Sequence, residues 1–307
     1  MLALVNTPSA PIPVELNEVP EPVPMPGEAV VEVHAFSLNR GEIALLTSRP
    51  DGWRPGQDIS GVVVQPAADG SGPEKGTRVV ALVDGAGWSQ LVAAPTARMA
   101  ALPDIVSFAS AATLPVAGLT ALRTLRQGGS LLGQRVLITG AAGGVGSFAV
   151  QLAALAGAEV TGVTRRPDHA FGLSELGATA FVANIQKAEG LFDLILESVG
   201  GASLADAISK VAPGGTIVMF GNSSREETSF SFPNFSGHAG ARLLAFFIYE
   251  SGTPASMGID LAKLVSLVAA GRLTPQIGLE DSWYNVYRDA AALRDRKING
   301  KAVFHIG

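Results

Sequence analysis

From residue 135 onward, short apolar runs alternate with longer stretches whose apolar positions recur at helical spacing. The runs predict strands over 136–139, 160–164, 180–182, 194–196 and 216–220. The stretches between them predict helices over 145–156, 168–176 and 204–211. Such alternation implies a parallel sheet covered on both faces, a doubly wound α/β domain. The first third reads differently. Strand-like runs over 28–34, 59–64 and 78–82 are separated by one short helix, 39–47, and a Gly/Pro/Asp-rich loop over 66–76. Short strands with such turns predict a small β-barrel or sandwich. Helices over 108–113 and 118–125 lead out of it. After residue 255 come a long helix to residue 270, an apolar segment 273–279, a helix near 285–295 and a last strand at 302–305. The simplest arrangement is a β domain of residues 1–114 completed by 273–307, with the doubly wound domain, 115–272, inserted between them. Ligands of open α/β sheets bind outside the carboxyl ends of the strands, here expected to face the cleft between the two domains.

Composition narrows the class. Of 307 residues, 47% are hydrophobic and 16% charged, enough to bury a large core. No stretch long enough to span a bilayer lacks both charges and turn residues, and the N-terminus has no signal-peptide pattern, so a cytoplasmic location is the default expectation. A net charge of −5 without any Lys/Arg run argues against nucleic acid or a membrane surface as partner. The absence of cysteine excludes disulfides, thiol catalysis and cysteine-ligated metals. His34, His169, His238 and His305 are dispersed without ligand spacing, so no metal is expected.

The junction between the 136–139 strand and the 145–156 helix reads Thr139-Gly-Ala-Ala-Gly-Gly-Val-Gly146. Strand, tight glycine turn and helix together present backbone N–H groups and a helix N-terminus to an anion, the geometry that holds a dinucleotide pyrophosphate. Gly140, Ala142, Gly143, Gly144 and Val145 are the candidate contacts, and Gly146 lets the helix pack on the sheet. Read as G-x-G-x-x-G, the first glycine is replaced by Ala141. The next strand ends Val163-Thr-Arg-Arg-Pro167. An NAD site carries an acid there for the ribose 2′-hydroxyl; two arginines instead suit a 2′-phosphate. The predicted cofactor is NADPH, with Thr164, Arg165 and Arg166 around that phosphate.

Further segments carry a family resemblance. They are Pro26-Gly-Glu-Ala-Val-Val-Glu-Val33, Ser37-Leu-Asn-Arg-Gly-Glu42, Gly76-Thr-Arg-Val-Val-Ala81 and Leu114-Pro-Val-Ala-Gly-Leu-Thr-Ala121. Phe192-Asp-Leu-Ile-Leu-Glu-Ser-Val-Gly-Gly201, Pro213-Gly-Gly-Thr-Ile-Val-Met-Phe-Gly221 and Gly300-Lys-Ala-Val303 complete the series. In this order they resemble the zinc-independent medium-chain dehydrogenases/reductases, particularly the quinone oxidoreductase-like group. The resemblance implies a GroES-like β-barrel domain beside a Rossmann-type one. It implies that Asn39 and Thr120 lie near the nicotinamide, that Phe220, Gly221 and Asn222 follow a strand end beside it, and that Lys301 reaches the cofactor region. Phe246-Phe-Ile-Tyr249, with Phe247, resembles a segment lining the nicotinamide side, and the apolar run 243–249 suits an edge through which two copies form a homodimer.

Three departures matter. Phe36-Ser-Leu-Asn39 and Gly56-Gln-Asp58 stand where zinc-dependent relatives carry ligands, and the cysteine-rich structural lobe is missing. Ala44 replaces a tyrosine found in some quinone reductases. Without a Lewis acid the small-molecule substrate should already be electron-poor, a quinone or an α,β-unsaturated carbonyl. Asn39 or backbone N–H groups then steady the developing oxyanion, and Tyr249 or water supplies the proton. The turn also fits short-chain dehydrogenases, but it follows a domain-sized segment, and no tyrosine here is followed four residues on by lysine. A non-catalytic NADPH-binding sensor or structural relative is the alternative from another class.

Overall fold

The computed structural model describes residues 1–8, 13–165 and 172–307. The chain forms two compact units, Met1–Leu119 with Gly252–Gly307, and Thr120–Ser251.

The first unit opens with β1 (Leu2–Asn6) and β2 (Val14–Glu18), an antiparallel pair. There follow β3 (Glu28–Leu38), α1 (Arg40–Leu45), β4 (Asp58–Gln65), β5 (Arg78–Leu82), β6 (Leu91–Pro95), β7 (Met99–Ala101) and α2 (Phe108–Ala112). β3, β4, β5 and β7 pair antiparallel in that order, and β6 pairs with β3. β1, β2, β6 and β7 carry no strand signal strong enough to predict from local pattern. Each is five residues or fewer, and the partners of β6 and β7 lie far along the chain. Thr113 is followed by a π-helical turn, Leu114–Gly118, which begins with the proline-containing motif.

The second unit begins within α3 (Leu119–Leu125) and holds β8 (Arg135–Thr139), α4 (Gly144–Leu155), β9 (Glu159–Val163), β10 (Ala180–Val182), β11 (Phe192–Glu197), α5 (Gly201–Ile208), β12 (Val211–Met219) and β13 (Arg242–Ala245). Its six strands are parallel in the order β10-β9-β8-β11-β12-β13, the doubly wound order. β8 and β11 sit centrally and bury nearly every residue, which is why they read as unbroken apolar runs. The order reverses between β8 and β11, the kind of switch point outside whose carboxyl ends open α/β sheets bind ligands. Of the helix expected over 168–176, the first four residues lie outside those described, and 172–177 form turns.

The chain then returns to the first unit with α6 (Pro254–Ala269), β14 (Ile277–Ser282), α7 (Val286–Arg294) and β15 (Lys301–His305). Helix α6, which sequence patterning groups with the inserted domain, packs against β7 and the turn Thr96–Arg98. A Cβ on Gly258 of that helix would lie 2.7 Å from Ala97 O, so glycine permits the close approach. Amphipathic spacing marks a helix but not the layer it joins. β15 lies antiparallel to β3, pairing Ala302 with Leu38, and β14 lies parallel to β15. Phe36 stacks between Trp88 and Phe304, with both ring pairs 5.7 Å apart, so the returning strand closes the core. Among the described residues, no helix is long and apolar enough to cross a membrane.

Candidate active site

In the second unit, β8 ends at Thr139 and Gly140 takes a left-handed conformation, φ 61°. Gly143 N donates to Gly140 O at 2.8 Å and closes the turn. Helix α4 starts at Gly144, and no side chain caps it. Its first-turn N–H groups have no intrahelical acceptor, so they are directed at whatever anion lies before the helix. A Cβ on Gly146 would lie 2.2 Å from Gly140 O, too close for any other residue.

The neighbouring strand ends converge on this turn. Ala141 N donates to Val163 O at 3.1 Å, which brings the end of β9, and so Thr164 and Arg165, beside the turn. Thr164 is half-buried and Arg165 is exposed; Arg166 lies outside the described residues. Ser198 N donates to Thr139 Oγ1 at 2.8 Å, locking β11 to β8. Gly221, one residue beyond Phe220 at the end of β12, is bare against Ser198 O, where a Cβ would stand 3.2 Å away. Gly140, Ser198 and Gly221 thus line three adjacent strand ends. The exposed Asn222 accepts from Ser224 Oγ at 3.1 Å and donates to Glu226 O at 3.3 Å. Phe246 N donates to Met219 O at 2.8 Å, placing the segment with Phe247 and Tyr249 alongside. Phe247 is 62% exposed, whereas Phe246 is buried. Thr120 is buried at the start of the unit, and its carbonyl accepts from Thr124 Oγ1 at 2.7 Å.

Glu197 is a member of this end of the sheet that motif reading passed over. Its carboxylate accepts from Val199 N at 3.0 Å, Gly200 N at 2.9 Å and Ser203 Oγ at 2.9 Å, at the start of α5. Burial pushes its pKa up, and these hydrogen bonds oppose the rise. The signal was present: an acid closing an otherwise apolar strand, directly before Ser-Val-Gly-Gly.

Asn39 and Lys301 belong to the first unit, in a buried polar cluster. Lys301 Nζ donates to Asn39 Oδ1 at 2.6 Å, Leu38 O at 2.9 Å and Asp58 Oδ2 at 3.0 Å. These use all three ammonium hydrogens, and the side chain is 3% exposed. In this structure the Lys301 ammonium is fully engaged within the cluster. Asn39 is equally engaged. Its Nδ2 donates to Glu42 Oε2 and to Asp58 Oδ2, each at 2.9 Å, so the amide expected to steady an oxyanion spends both hydrogens within the cluster. Asn39 also caps α1, with its own N–H donating to Glu42 Oε2 at 2.9 Å. Asp58 further accepts from Ser37 Oγ at 2.7 Å and, through Oδ1, from Val116 N of the π-helical turn at 2.8 Å.

Glu42 is fully buried, and its Oε1 has no partner among the described residues. Burial, followed by the charge of Asp58, lifts its pKa from an ordinary 4.5 to about 8, against the opposing effects of Lys301 and the Asn39 bonds. Near neutral pH the cluster then holds a protonated Glu42 beside one ion pair, Asp58 with Lys301. That arrangement avoids an uncompensated buried charge. No group of three or more His, Asp or Glu side chains among the described residues is placed to hold a metal.

Two known families match successive parts of the chain. Residues 25–118 match the alcohol dehydrogenase GroES-like domain family, and residues 144–264 match the zinc-binding dehydrogenase family. A highly reducing polyketide synthase of Arthrinium phaeospermum is 33% identical over 93% of this chain, and the chain spans 13% of that synthase. Among solved structures, Escherichia coli quinone oxidoreductase complexed with NADPH superimposes with a TM-score of 0.90 over 100% of both chains at 20% identity. CurK enoyl reductase superimposes with a TM-score of 0.87 at 22% identity, over 100% of this chain and 99% of that one. At these identities the structural likeness is one of fold.

Proposed function

The chain belongs to the medium-chain dehydrogenase/reductase superfamily, and from that premise we propose that it is an NADPH-dependent oxidoreductase acting, without zinc, on a quinone or an α,β-unsaturated carbonyl compound. The observation that carries this reading is the uncapped start of α4 behind the Gly140 turn, next to a β9 end that offers Thr164 and Arg165 and no carboxylate. The absence of cysteine, and an Asp58 carboxylate already holding the Lys301 ammonium, support chemistry without zinc.

A bound reduced nicotinamide supplies a hydride. The chain's own residues bind and orient. The amides of Gly144 and Val145, with the backbone of Gly140, Ala142 and Gly143, would hold the pyrophosphate, and Thr164, Arg165 and Arg166 would hold the 2′-phosphate. Thr120, Phe220, Gly221, Asn222 and Phe247 shape the nicotinamide surroundings. Asn39 acts through its fixed position, because its amide hydrogens are committed. Tyr249 holds the proton delivered to the product. The exposed edge strand β13 suits pairing with a second copy.

A second reading of the same chemistry comes from the polyketide synthase and the enoyl reductase fold neighbour: the conjugated substrate is an enoyl thioester. NADPH consumption with a panel of quinones, simple enones and enoyl thioesters separates them. Turnover of at least one class, with NADPH preferred to NADH, is the expected result. Cofactor binding with no turnover of any class supports the non-catalytic alternative.

A further inference from the structure

At the carboxyl end of the six-stranded sheet, the segments that follow β11 and β12 are zipped together. Phe220 N donates to Glu197 O at 2.9 Å, Ser223 N to Ser198 O at 3.1 Å and Ser224 N to Val199 O at 2.8 Å. Beside these bonds Gly200 is left-handed at φ 77°, and a Cβ on it would stand 2.1 Å from Asn222 Oδ1. No slack separates the two segments, so a shift of residues 198–200 carries residues 221–224 with it.

One buried side chain holds the first segment in place. Glu197, the last residue of β11, is fully buried. Its Oε1 accepts from Val199 N and Ser203 Oγ, and its Oε2 accepts from Gly200 N. Hydrogen bonds to an ionised acceptor are strong ones, and a carboxylate withdrawn from water needs them. The cap position of α5 is Gly200, which has no side chain, so the acceptor reaches the helix start from inside the strand. Ser198 N is tied separately to Thr139 Oγ1 of β8, and the segment is thus fixed on two sides.

The order of the strands gives this clamp a consequence. β11 and β12 lie on one side of β8, and β9 lies on the other. A dinucleotide across such a switch point sets its adenosine half at the strand end corresponding to β9 and its nicotinamide half towards β11 and β12. Glu197 belongs to the second side alone. We propose that Glu197 is a positioning residue for the nicotinamide half of the cofactor: by clamping residues 198–200 it sets where Gly221 and Asn222 stand, while the adenosine half is held independently of it. This rests on the NADPH-dependent reading proposed above.

Two ligands separate the halves. NADPH and adenosine 2′,5′-bisphosphate, which carries the adenosine and its 2′-phosphate without the nicotinamide, are titrated calorimetrically into the wild type, E197Q and S203A. E197Q keeps the size of the side chain but turns an NH2 group towards donors. It should weaken NADPH binding on the order of 10-fold and leave the bisphosphate within about twofold of the wild type. S203A removes one of the three bonds and should weaken NADPH alone, by about threefold. A residue that merely supports the fold would not divide the two ligands in this way. If E197Q keeps a cooperative unfolding transition, equal loss of both ligands, or loss of neither, overturns the proposal. If E197Q does not fold, S203A decides: a loss on NADPH alone upholds the proposal, and equal loss or none overturns it. A wild type that binds neither ligand removes the NADPH reading and the proposal with it. A wild type that binds both, with both variants unaltered, removes only the role of Glu197.

Discussion

Glu42 gives the buried cluster a dependence on pH. A carboxyl whose pKa rises from 4.5 to about 8 on folding binds its proton more tightly in the folded protein. Its stabilising contribution is therefore full below about pH 4.5, declines as pH rises through the window up to about 8, and is gone above it. Replacement by glutamine removes the titration while keeping an oxygen to accept from Asn39. Between pH 5 and pH 8, the Tm of the wild type should fall by at least about 5 °C more than that of E42Q. Parallel profiles for the two proteins would show that Glu42 is ionised throughout. Lys301 and Asp58 should be unforgiving by comparison, since removing either leaves the other charge buried without its partner.

At the scale of elements, the Gly140–Gly146 turn and α4 depend on a contact that only glycine allows. G146A places a Cβ 2.2 Å from Gly140 O and 2.7 Å from Ala141 Cα, both backbone atoms that cannot swing aside. The expected outcome is a loss of roughly 1–3 kcal/mol of stability by denaturant unfolding. At least tenfold weaker NADPH binding by fluorescence titration should accompany it if the displaced turn is the phosphate cradle proposed above. Full-strength binding by G146A would detach the turn from the cofactor. This element was legible in sequence because its parts are contiguous: buried parallel strand, glycine turn and helix follow one another within about twenty residues. The central strands β8 and β11 were legible for the same reason, since burial on both faces writes itself into an apolar run. The short strands β6 and β7 and the layer of α6 were not, because partners distant in sequence decide them. The engagement of Asn39 and Lys301 was hidden in the same way. A motif names a residue's neighbourhood but cannot count how many of its hydrogen bonds are already spent.

For the whole molecule, β13 leaves one side of the six-stranded sheet without a strand partner among the described residues, and Leu243 on it is 36% exposed. An edge of this kind invites a second copy. Sedimentation should give twice the chain mass, with L243E shifting the population towards monomer; a monomeric wild type would remove the homodimer from the proposal. The route of the chain has another consequence. The second unit is continuous in sequence, Thr120–Ser251, whereas the first is made of two pieces separated by it. β15 must find β3, and Lys301 must find Leu38 across 263 positions of chain, before the first unit can close. On the ribosome, then, the second unit emerges whole and can fold while synthesis continues. The half bearing Asn39 waits with its core open until β15 has been made, and in that interval it needs protection from aggregation.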